Sequence, residues 1–251
     1  MKIPFLLCEN AFRLGVKKWL GVDYGTSPHV LWAGRTGSGK TVAAKLLLGR
    51  TVLLASPDLK PVEIIVIDPK SDKDFTFLKG CDNFFSGEGS TKGLELVFDM
   101  FKKRQNGIDE SRNLKIVFID EFASLVNLID DKKDRDKAQK NLALLLMLSR
   151  SFRFSIQLAT QQPSAKTLGD SGSREQFGAV VMLGDAGSES QQMLFCGDSR
   201  EKIKELGSIG GRGVGWLSLN GSVAQPVRVP QVQDVKKLDD VIFRCVSAGT
   251  G

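Results

Sequence analysis

The chain has 251 residues, of which 41% are hydrophobic, and this size and composition predict one large α/β domain with small appendages and exclude two equal domains. The formal net charge of +6 fits contact with a polyanion, although a mildly basic balance by itself favours nucleic-acid binding only slightly. The 15 phenylalanines, against 3 tryptophans and 1 tyrosine, indicate core filling more than base stacking.

The four cysteines are far apart in the sequence, at Cys8, Cys81, Cys196 and Cys245. None belongs to a C-x-x-C pair, so neither a zinc site nor a redox pair is indicated. Because no secretory signal is visible, we expect a reduced, cytoplasmic compartment. No run of about 18 uncharged apolar residues occurs, and we therefore expect no transmembrane segment.

Residues 1–25 are predicted to form an N-terminal arm, in which apolar side chains are interleaved with Arg13, Lys17 and Lys18. Such a stretch could lie on a membrane surface as an amphipathic helix. Gly15 and Gly21 interrupt the helical period, so a packing arm is the preferred interpretation.

The stretch that follows, GRTGSGKT, lies between the apolar strand VLWA and the helix-forming VAAKLLLG, and it matches G-x-x-x-x-G-K-[ST] in the context that a phosphate-binding loop requires. Its glycines allow backbone N–H groups to point at phosphates, and the helix N-terminus adds partial positive charge. Lys40 is expected to reach the β and γ phosphates and Thr41 to hold Mg²⁺. The predicted nucleotide-binding residues are Gly34, Arg35, Thr36, Gly37, Ser38, Gly39, Lys40, Thr41 and Val42. The chain's one histidine, His29, opens the preceding strand and is assigned to packing or hydrogen bonding.

Two further apolar runs read as buried strands, residues 62–68 and 115–121. The first ends near Asp68 and Lys70, and the second ends in Asp120 and Glu121. Side chains at the carboxyl edge of an open α/β sheet face the ligand. Asp120 is therefore predicted to belong to the Mg²⁺ shell, and Glu121 to be the base or water-orienting group. Between these strands, Thr91–Gln105 is predicted to be an amphipathic helix.

Residues 154–160 are predicted to form a strand beside the acid-bearing one, with Gln161 at its tip. A polar side chain there could touch the γ phosphate and report its loss. The dense mixed charges between 130 and 137 favour a solvated loop or a helix start, and Leu142–Leu148 predicts a buried helix, in part against a neighbouring subunit.

The remaining elements are a mobile loop at 164–174 that carries Lys166, a strand at 179–183, helices at 188–195 and 201–206, and a β-hairpin with Asn220-Gly221 at its turn. Residues 231–251 form a tail without decipherable chemistry. The domain itself is placed at residues 26–230.

Taken together, these motifs resemble the motor domain of the FtsK/SpoIIIE family of DNA translocases, within the FtsK/HerA group of ring ATPases. The similarity rests on order and spacing over about residues 26–230. The motifs that carry it are PHVLWAGRTGSGKT, IVIDPK, IVFIDEFASL and RSFRFSIQLATQQPS.

The resemblance implies a RecA-like P-loop NTPase with a mainly parallel central sheet flanked by helices, acting as a ring, commonly a hexamer, around double-stranded DNA. ATP would lie between subunits, and an arginine from one subunit would complete the site of the next. Arg150 and Arg174 match family positions for this arginine. Lys166, and second the cluster that includes Lys132 and Lys133, would touch DNA phosphates.

At this length we expect no sequence-reading winged-helix module. The resemblance therefore implies a compact motor for DNA transfer by a plasmid, conjugative element or phage, with membrane or relaxosome-type protein partners. Two alternatives stay open at this point, a secretion-type ATPase that moves protein and an ATP-dependent assembly platform.

Overall fold

The computed structural model describes residues 2–164, 175–185, 187–207, 209 and 211–247. Its strands are β1 Lys2–Cys8, β2 Trp19–Asp23, β3 His29–Ala33, β4 Glu63–Asp68, β5 Phe84–Ser86, β6 Lys115–Asp120, β7 Phe154–Thr160, β8 Phe177–Leu183, β9 Val214–Leu219 and β10 Gln225–Arg228. Its α-helices are α1 Glu9–Arg13, α2 Lys40–Leu54, α3 Ser90–Gln105, α4 Phe122–Asn127, α5 Lys132–Leu148, α6 Ser188–Leu194, α7 Gly197–Leu206 and α8 Val235–Ser247.

The strands form a 10-stranded sheet in the order β2-β1-β10-β9-β8-β3-β7-β6-β4-β5. From β8 to β5 neighbouring strands are parallel, whereas β9, β10, β1 and β2 are added in antiparallel fashion. Asn220 and Gly221 both have positive φ, 51° and 70°, as the tight turn between β9 and β10 requires. The predicted α/β class, parallel centre and C-terminal hairpin are confirmed.

The strand that precedes the glycine-rich loop, β3, pairs with β7, and β7 pairs with the acid-bearing strand β6. All three are parallel, so their carboxyl ends meet at one edge of the sheet. This order brings the loop, Gln161 and the acids together, and we call this side the carboxyl edge. The opposite side is the amino edge.

Both faces of the parallel strands are buried, because helices cover the sheet on each side. On one face Val30, Trp32 and Val66 pack with α2 and α8. On the other, Leu31 and Ile67 pack with α3 and α5. The predicted helix over 91–105 corresponds to α3, whose Leu94, Val97 and Phe101 are buried.

The segments at the two ends of the described chain pack against the main sheet. Residues 2–23 supply β1 and β2, and α1 is a helix of only 5 residues. Phe5 and Leu6 of β1 belong to the same core as Ile242 and Val246 of α8. Neither end is set apart from residues 26–230, because strand pairing and apolar burial join both to the main sheet. Sequence periodicity did not reveal this, since it acts within a few residues and the partners of these segments lie far away in the chain.

Candidate active site

The glycine-rich loop between β3 and α2 has the backbone conformation that its spacing predicts. Gly34, Gly37 and Gly39 all have positive φ, at 145°, 79° and 104°, a region that residues with a Cβ rarely occupy. Gly39 is the N-cap of α2, which begins at Lys40. The loop therefore turns the chain directly into a helix N-terminus, where backbone N–H groups and the helix dipole favour an anion.

Distant parts of the chain hold this loop from behind. A Cβ on Gly34 would lie 2.3 Å from the Leu183 carbonyl oxygen at the end of β8. The amide of Gly213 donates a hydrogen bond of 2.8 Å to the carbonyl of Ser38, and a Cβ on Gly39 would lie 3.3 Å from the Gly213 Cα. Sequence reasoning assigned Gly213 to a hairpin and missed this support. The run GGRGVG was its signal, because glycines mark close backbone approaches.

Within the loop, Lys40 Nζ donates to the carbonyl oxygens of Gly34, at 2.5 Å, and Arg35, at 3.1 Å. Burial lowers the pKa of Lys40, and the nearby charge of Asp120 opposes that shift. The Ser38 hydroxyl is buried without a hydrogen-bond partner among the described residues. A buried hydroxyl without a partner is free to bond with a polar group of a ligand.

The acid motif ends β6 beside a third carboxylate. Burial raises the pKa of Asp120 to about 7; the neighbouring charge of Asp68 raises it as well, and the charge of Lys40 lowers it. Asp68 ends β4, where its fully buried carboxylate accepts hydrogen bonds from the amides of Lys70, at 3.2 Å, and Asp72, at 2.7 Å. Asp120 is therefore a half-buried acid within electrostatic reach of Lys40, where a cation would favour its ionised form.

Glu121 is held in a fixed position at the start of α4. One carboxylate oxygen accepts a hydrogen bond of 2.8 Å from the backbone amide of Gln161, and the other lies 3.1 Å from the Thr160 hydroxyl. Lys70 Nζ is 3.7 Å away. The end of β7 is thus joined to the carboxylate by a backbone N–H. Thr160 was not among the predicted site residues, and only its place one residue before Gln161 could have suggested it.

The remaining predicted residues lie away from this cluster or outside the described residues. Lys132 and Lys133 are exposed at the N-terminus of α5, where the Asp131 side chain caps the helix. Arg150 follows α5 at the amino edge and donates to the Thr26 carbonyl at 3.0 Å, so the structure does not bring it to the loop of its own chain. Lys166 and Arg174 lie outside the described residues.

The residues at the carboxyl edge fit a nucleotide with Mg²⁺. The loop offers backbone N–H groups, an exposed Gly37 with no heavy atom within 4 Å of where a Cβ would be, and the unpartnered Ser38 hydroxyl. Among the described residues, no three His, Cys, Asp or Glu side chains form a metal cluster. Mg²⁺ needs only one or two protein ligands when phosphate oxygens supply others, and Thr41 and Asp120 would be those ligands.

Comparison with known proteins agrees with this geometry. The family model "FtsK/SpoIIIE family" matches residues 7–113. The FtsK domain-containing protein YdcQ of Bacillus subtilis is 26% identical over 210 residues, which are 78% of this chain and 42% of YdcQ. The DNA translocase FtsK of Borreliella burgdorferi is 29% identical over 171 residues, which are 58% of this chain and 21% of that protein. The chain thus corresponds to less than half the length of each.

Solved structures show the same fold. The pCW3 conjugation coupling protein TcpA, in a monomer form with ATPγS, has a TM-score of 0.72 at 19% identity, over 97% of this chain and 70% of that one. The cytoplasmic domain of the Thermomonospora curvata type VII secretion ATPase EccC has a TM-score of 0.68 at 17% identity, over 100% of this chain and 31% of that one.

The sheet order, the glycine loop and the acid pair define a P-loop ATPase. Together with the family match and the curated relatives, they confirm the resemblance that the motifs predicted: the chain is an ATPase, and its sequence is similar to the FtsK/SpoIIIE family. Along the described residues, no helix combines the length and the apolar character that crossing a bilayer requires.

Proposed function

We propose that this protein is an ATP-driven translocase of double-stranded DNA that serves DNA transfer by a plasmid, conjugative element or phage. The observation that carries the proposal is the hydrogen bonding of Glu121 to the end of β7, which lies beside the phosphate loop. The names of relatives support it, since one is a DNA translocase and the TcpA neighbour is a conjugation coupling protein. The four free cysteines are consistent with the proposed cytoplasmic location.

The proposed chemistry is attack of water on the γ phosphate. Lys40, already at the loop carbonyls, would turn to the β and γ oxygens and balance their charge. Thr41 and Asp120 would hold Mg²⁺, which when bound neutralises charge that develops on the phosphates. Glu121 would accept the proton of the attacking water. Its two donors restrict the carboxylate to one orientation, which reduces the entropy cost of positioning that water.

Gln161 would transmit the state of the phosphate to DNA. Its backbone amide donates to Glu121. The residue also lines a cleft of about 470 Å³ together with Gly34, Arg35 and Glu189. Loss of the γ phosphate would change the contacts of both groups at once. The segment that follows leads to Lys166, which we propose as the main DNA-phosphate contact, with Lys132 and Lys133 as the second.

We further propose a ring, a hexamer by resemblance, in which an arginine acts on the neighbouring subunit. Arg150 lies at the amino edge, opposite the loop of its own chain, and beside it the end of α5 leaves Met147 and Leu148 exposed. An arginine beside exposed apolar side chains suits a subunit interface. Arg174 is the second candidate for this role.

The central test is DNA-stimulated ATP hydrolysis by the purified chain and by Glu121→Gln. We expect duplex DNA at low salt to stimulate turnover, and Glu121→Gln to lower kcat by at least about a hundredfold, because general-base catalysis contributes that much. ATP binding should persist in Glu121→Gln. Glu110→Gln, at an exposed carboxylate, is the matched control and should behave as the unaltered chain. Hydrolysis that ignores DNA at low salt would contradict the proposed function.

The ring is tested by sizing the protein with an ATP analogue and duplex DNA, and by mixing two inactive variants, Glu121→Gln and Arg150→Ala. If Arg150 acts in trans, mixed rings contain sites that combine an intact Glu121 with the intact Arg150 of a neighbour, and activity returns. If mixing restores nothing, Arg150 is not the trans arginine.

A second candidate is a secretion-type ATPase that moves protein, which the EccC neighbour favours. The two functions differ in what stimulates hydrolysis. Turnover that rises with a secreted polypeptide and not with duplex DNA would favour protein transport over DNA translocation.

A further inference from the structure

The turn between α1 and β2 exposes large apolar side chains among cations. Leu14 is 82% exposed and Val16 57% exposed, and Phe12 and Trp19 at the two ends are each 38% exposed. Arg13, Lys17 and Lys18 lie between them. We call residues 12–19 the basic apolar tip. It contains no carboxylate, and exposed apolar groups clustered in this way commonly mark an interaction site.

The tip has an ordered backbone. The amides of Leu14 and Val16 both donate to the Ala11 carbonyl, at 3.1 and 2.9 Å, and the Lys18 carbonyl accepts from the Cys8 amide at 2.9 Å. A Cβ on Gly15 would meet no atom within 4 Å, so the apex projects into open space. A fixed turn therefore presents Leu14 and Val16 outward. Because the backbone is already ordered, burying them against a partner costs little conformational entropy.

The aromatic residues at the base of the tip are held by guanidinium groups. Arg50 lies 4.2 Å from the ring centroid of Trp19, and Arg228 lies 4.9 Å from that of Phe12. The nearest acid in sequence, Glu9, is buried and bonded to Arg13 and Arg228. Residues 12–19 thus carry three cations and no carboxylate, and behind the apex lies the indole of Trp19, an amphipathic ring typical of the boundary between headgroups and acyl chains.

We propose that the basic apolar tip binds the surface of a bilayer that contains anionic lipid, with Leu14 and Val16 in the acyl boundary and Lys17 and Lys18 at the headgroups. Charge complementarity selects an anionic partner, and two projecting aliphatic side chains gain free energy in a bilayer but not on a phosphate backbone in water. DNA is therefore the less suitable occupant. The tip joins α1 to β2, and three strands, β10, β9 and β8, separate β1 and β2 from the loop strand β3 in the sheet. None of its residues belongs to the proposed nucleotide site, so the proposal stands independently of the ATPase function.

The test is flotation of the full chain with vesicles of phosphatidylcholine, with and without phosphatidylglycerol. We expect binding only to the anionic vesicles. The double variant Leu14→Ser/Val16→Ser should weaken it at least about tenfold, because two buried aliphatic groups are lost. Lys17→Glu/Lys18→Glu should abolish it. The matched control is Ile108→Ser, at a side chain 72% exposed on another loop, which should bind as the unaltered chain.

A second readout is quenching of tryptophan fluorescence by brominated acyl chains. Trp32 and Trp216 are buried, so Trp19 should report contact with the bilayer. The proposal is overturned if the unaltered chain does not bind anionic vesicles, or if the lysine variant loses binding while the Leu14/Val16 variant keeps it, which is simple adsorption of a cation. Equal loss in Ile108→Ser would overturn it too. A protein captured through the tip in place of vesicles would identify a different occupant.

Discussion

The backbone of the proposed base, Glu121, is conformationally strained. Its φ of 59° lies in the left-handed region, where a residue other than glycine costs of order 1 kcal/mol. Hydrogen bonds from Gln161 and Thr160 offset that cost only if the carboxylate stays in place. Strain at this residue is thus the local consequence of aiming the carboxylate toward the loop.

Gly34 and Gly37 form a matched pair for testing the loop, because both have positive φ and only Gly34 is crowded. Gly37→Ala should cost about 1 kcal/mol of unfolding free energy from backbone strain alone. Gly34→Ala adds a clash with the Leu183 carbonyl, so we expect a larger loss of about 2–4 kcal/mol and weakened nucleotide binding. Chemical unfolding and titration with a fluorescent ATP analogue measure both. Equal losses in the two variants would show that β8 does not support the loop.

The buried His29 should make the unfolding free energy fall in acid. Burial lowers its pKa to about 3, with help from the charge of Arg150, and its Nδ1 accepts a hydrogen bond from the Ile156 amide at 3.0 Å. The unfolded chain binds a proton near pH 6.5 while the folded chain does not. Stability is therefore lost as pH falls below about 6.5, by about 1.4 kcal/mol per pH unit from this group.

The measurement is unfolding free energy between pH 7 and 5 for the unaltered chain and for His29→Asn. Asparagine can offer an acceptor to the Ile156 amide and cannot be protonated, so it should flatten the dependence by about 2 kcal/mol at pH 5. Identical pH profiles would show that His29 does not stay neutral in the fold.

At the scale of elements, β7 is the strand whose end holds the Glu121 carboxylate. It lies between the loop strand and the acid strand, and its last residue, Thr160, lies 3.1 Å from the Glu121 carboxylate and 3.2 Å from the Gln162 carbonyl. A single hydroxyl can bond to either. Whether it donates to Glu121 or to the Gln162 carbonyl would depend on the position of residues 161 and 162.

Thr160→Val keeps the side-chain shape and removes the donor. We expect kcat to fall about tenfold, because one oriented hydrogen bond to a charged group is worth about 1.5–3 kcal/mol, while KM for ATP stays nearly unchanged. Thr160→Ser should restore turnover. If the valine variant turns over normally, or serine fails to rescue it, the hydroxyl does not position Glu121.

At the scale of the whole molecule, the N-terminal strand β1 and the C-terminal helix α8 belong to one core. The ring of Phe5 on β1 meets Trp32 on β3 edge to face, at 5.5 Å between centroids, and both are fully buried. The strand that leads into the glycine loop therefore packs on the N-terminal strand. The additional antiparallel strands thus stabilise the site through one shared core.

Phe5→Ala should lower the unfolding free energy by about 3–5 kcal/mol, because it leaves a cavity under β3. The unfolding transition should remain single, as circular dichroism and tryptophan fluorescence in urea would show. Phe243→Ala, at an exposed ring, is the control and should cost less than about 1 kcal/mol. A first transition that leaves the parallel sheet folded would contradict a shared core.

The sequence by itself determined what depends on neighbouring residues. Three glycines at fixed spacing allow the positive φ values of the loop, and unbroken apolar runs specify the buried parallel strands with Asp120 and Glu121 after them. Strand and helix assignments followed because backbone preference and hydrophobic period act within a few residues.

Only the tertiary structure decided which distant segments meet. It placed Gly213 behind the loop, and the Gln161 backbone amide and the Thr160 hydroxyl on Glu121. It also placed β1 beside β10, β2 beside β1, and Arg150 at the opposite edge from the loop. These contacts join residues far apart in the chain, and they form because strand order and burial are settled for the whole sheet at once. Apart from the glycine run GGRGVG at Gly213, no local pattern carries that information.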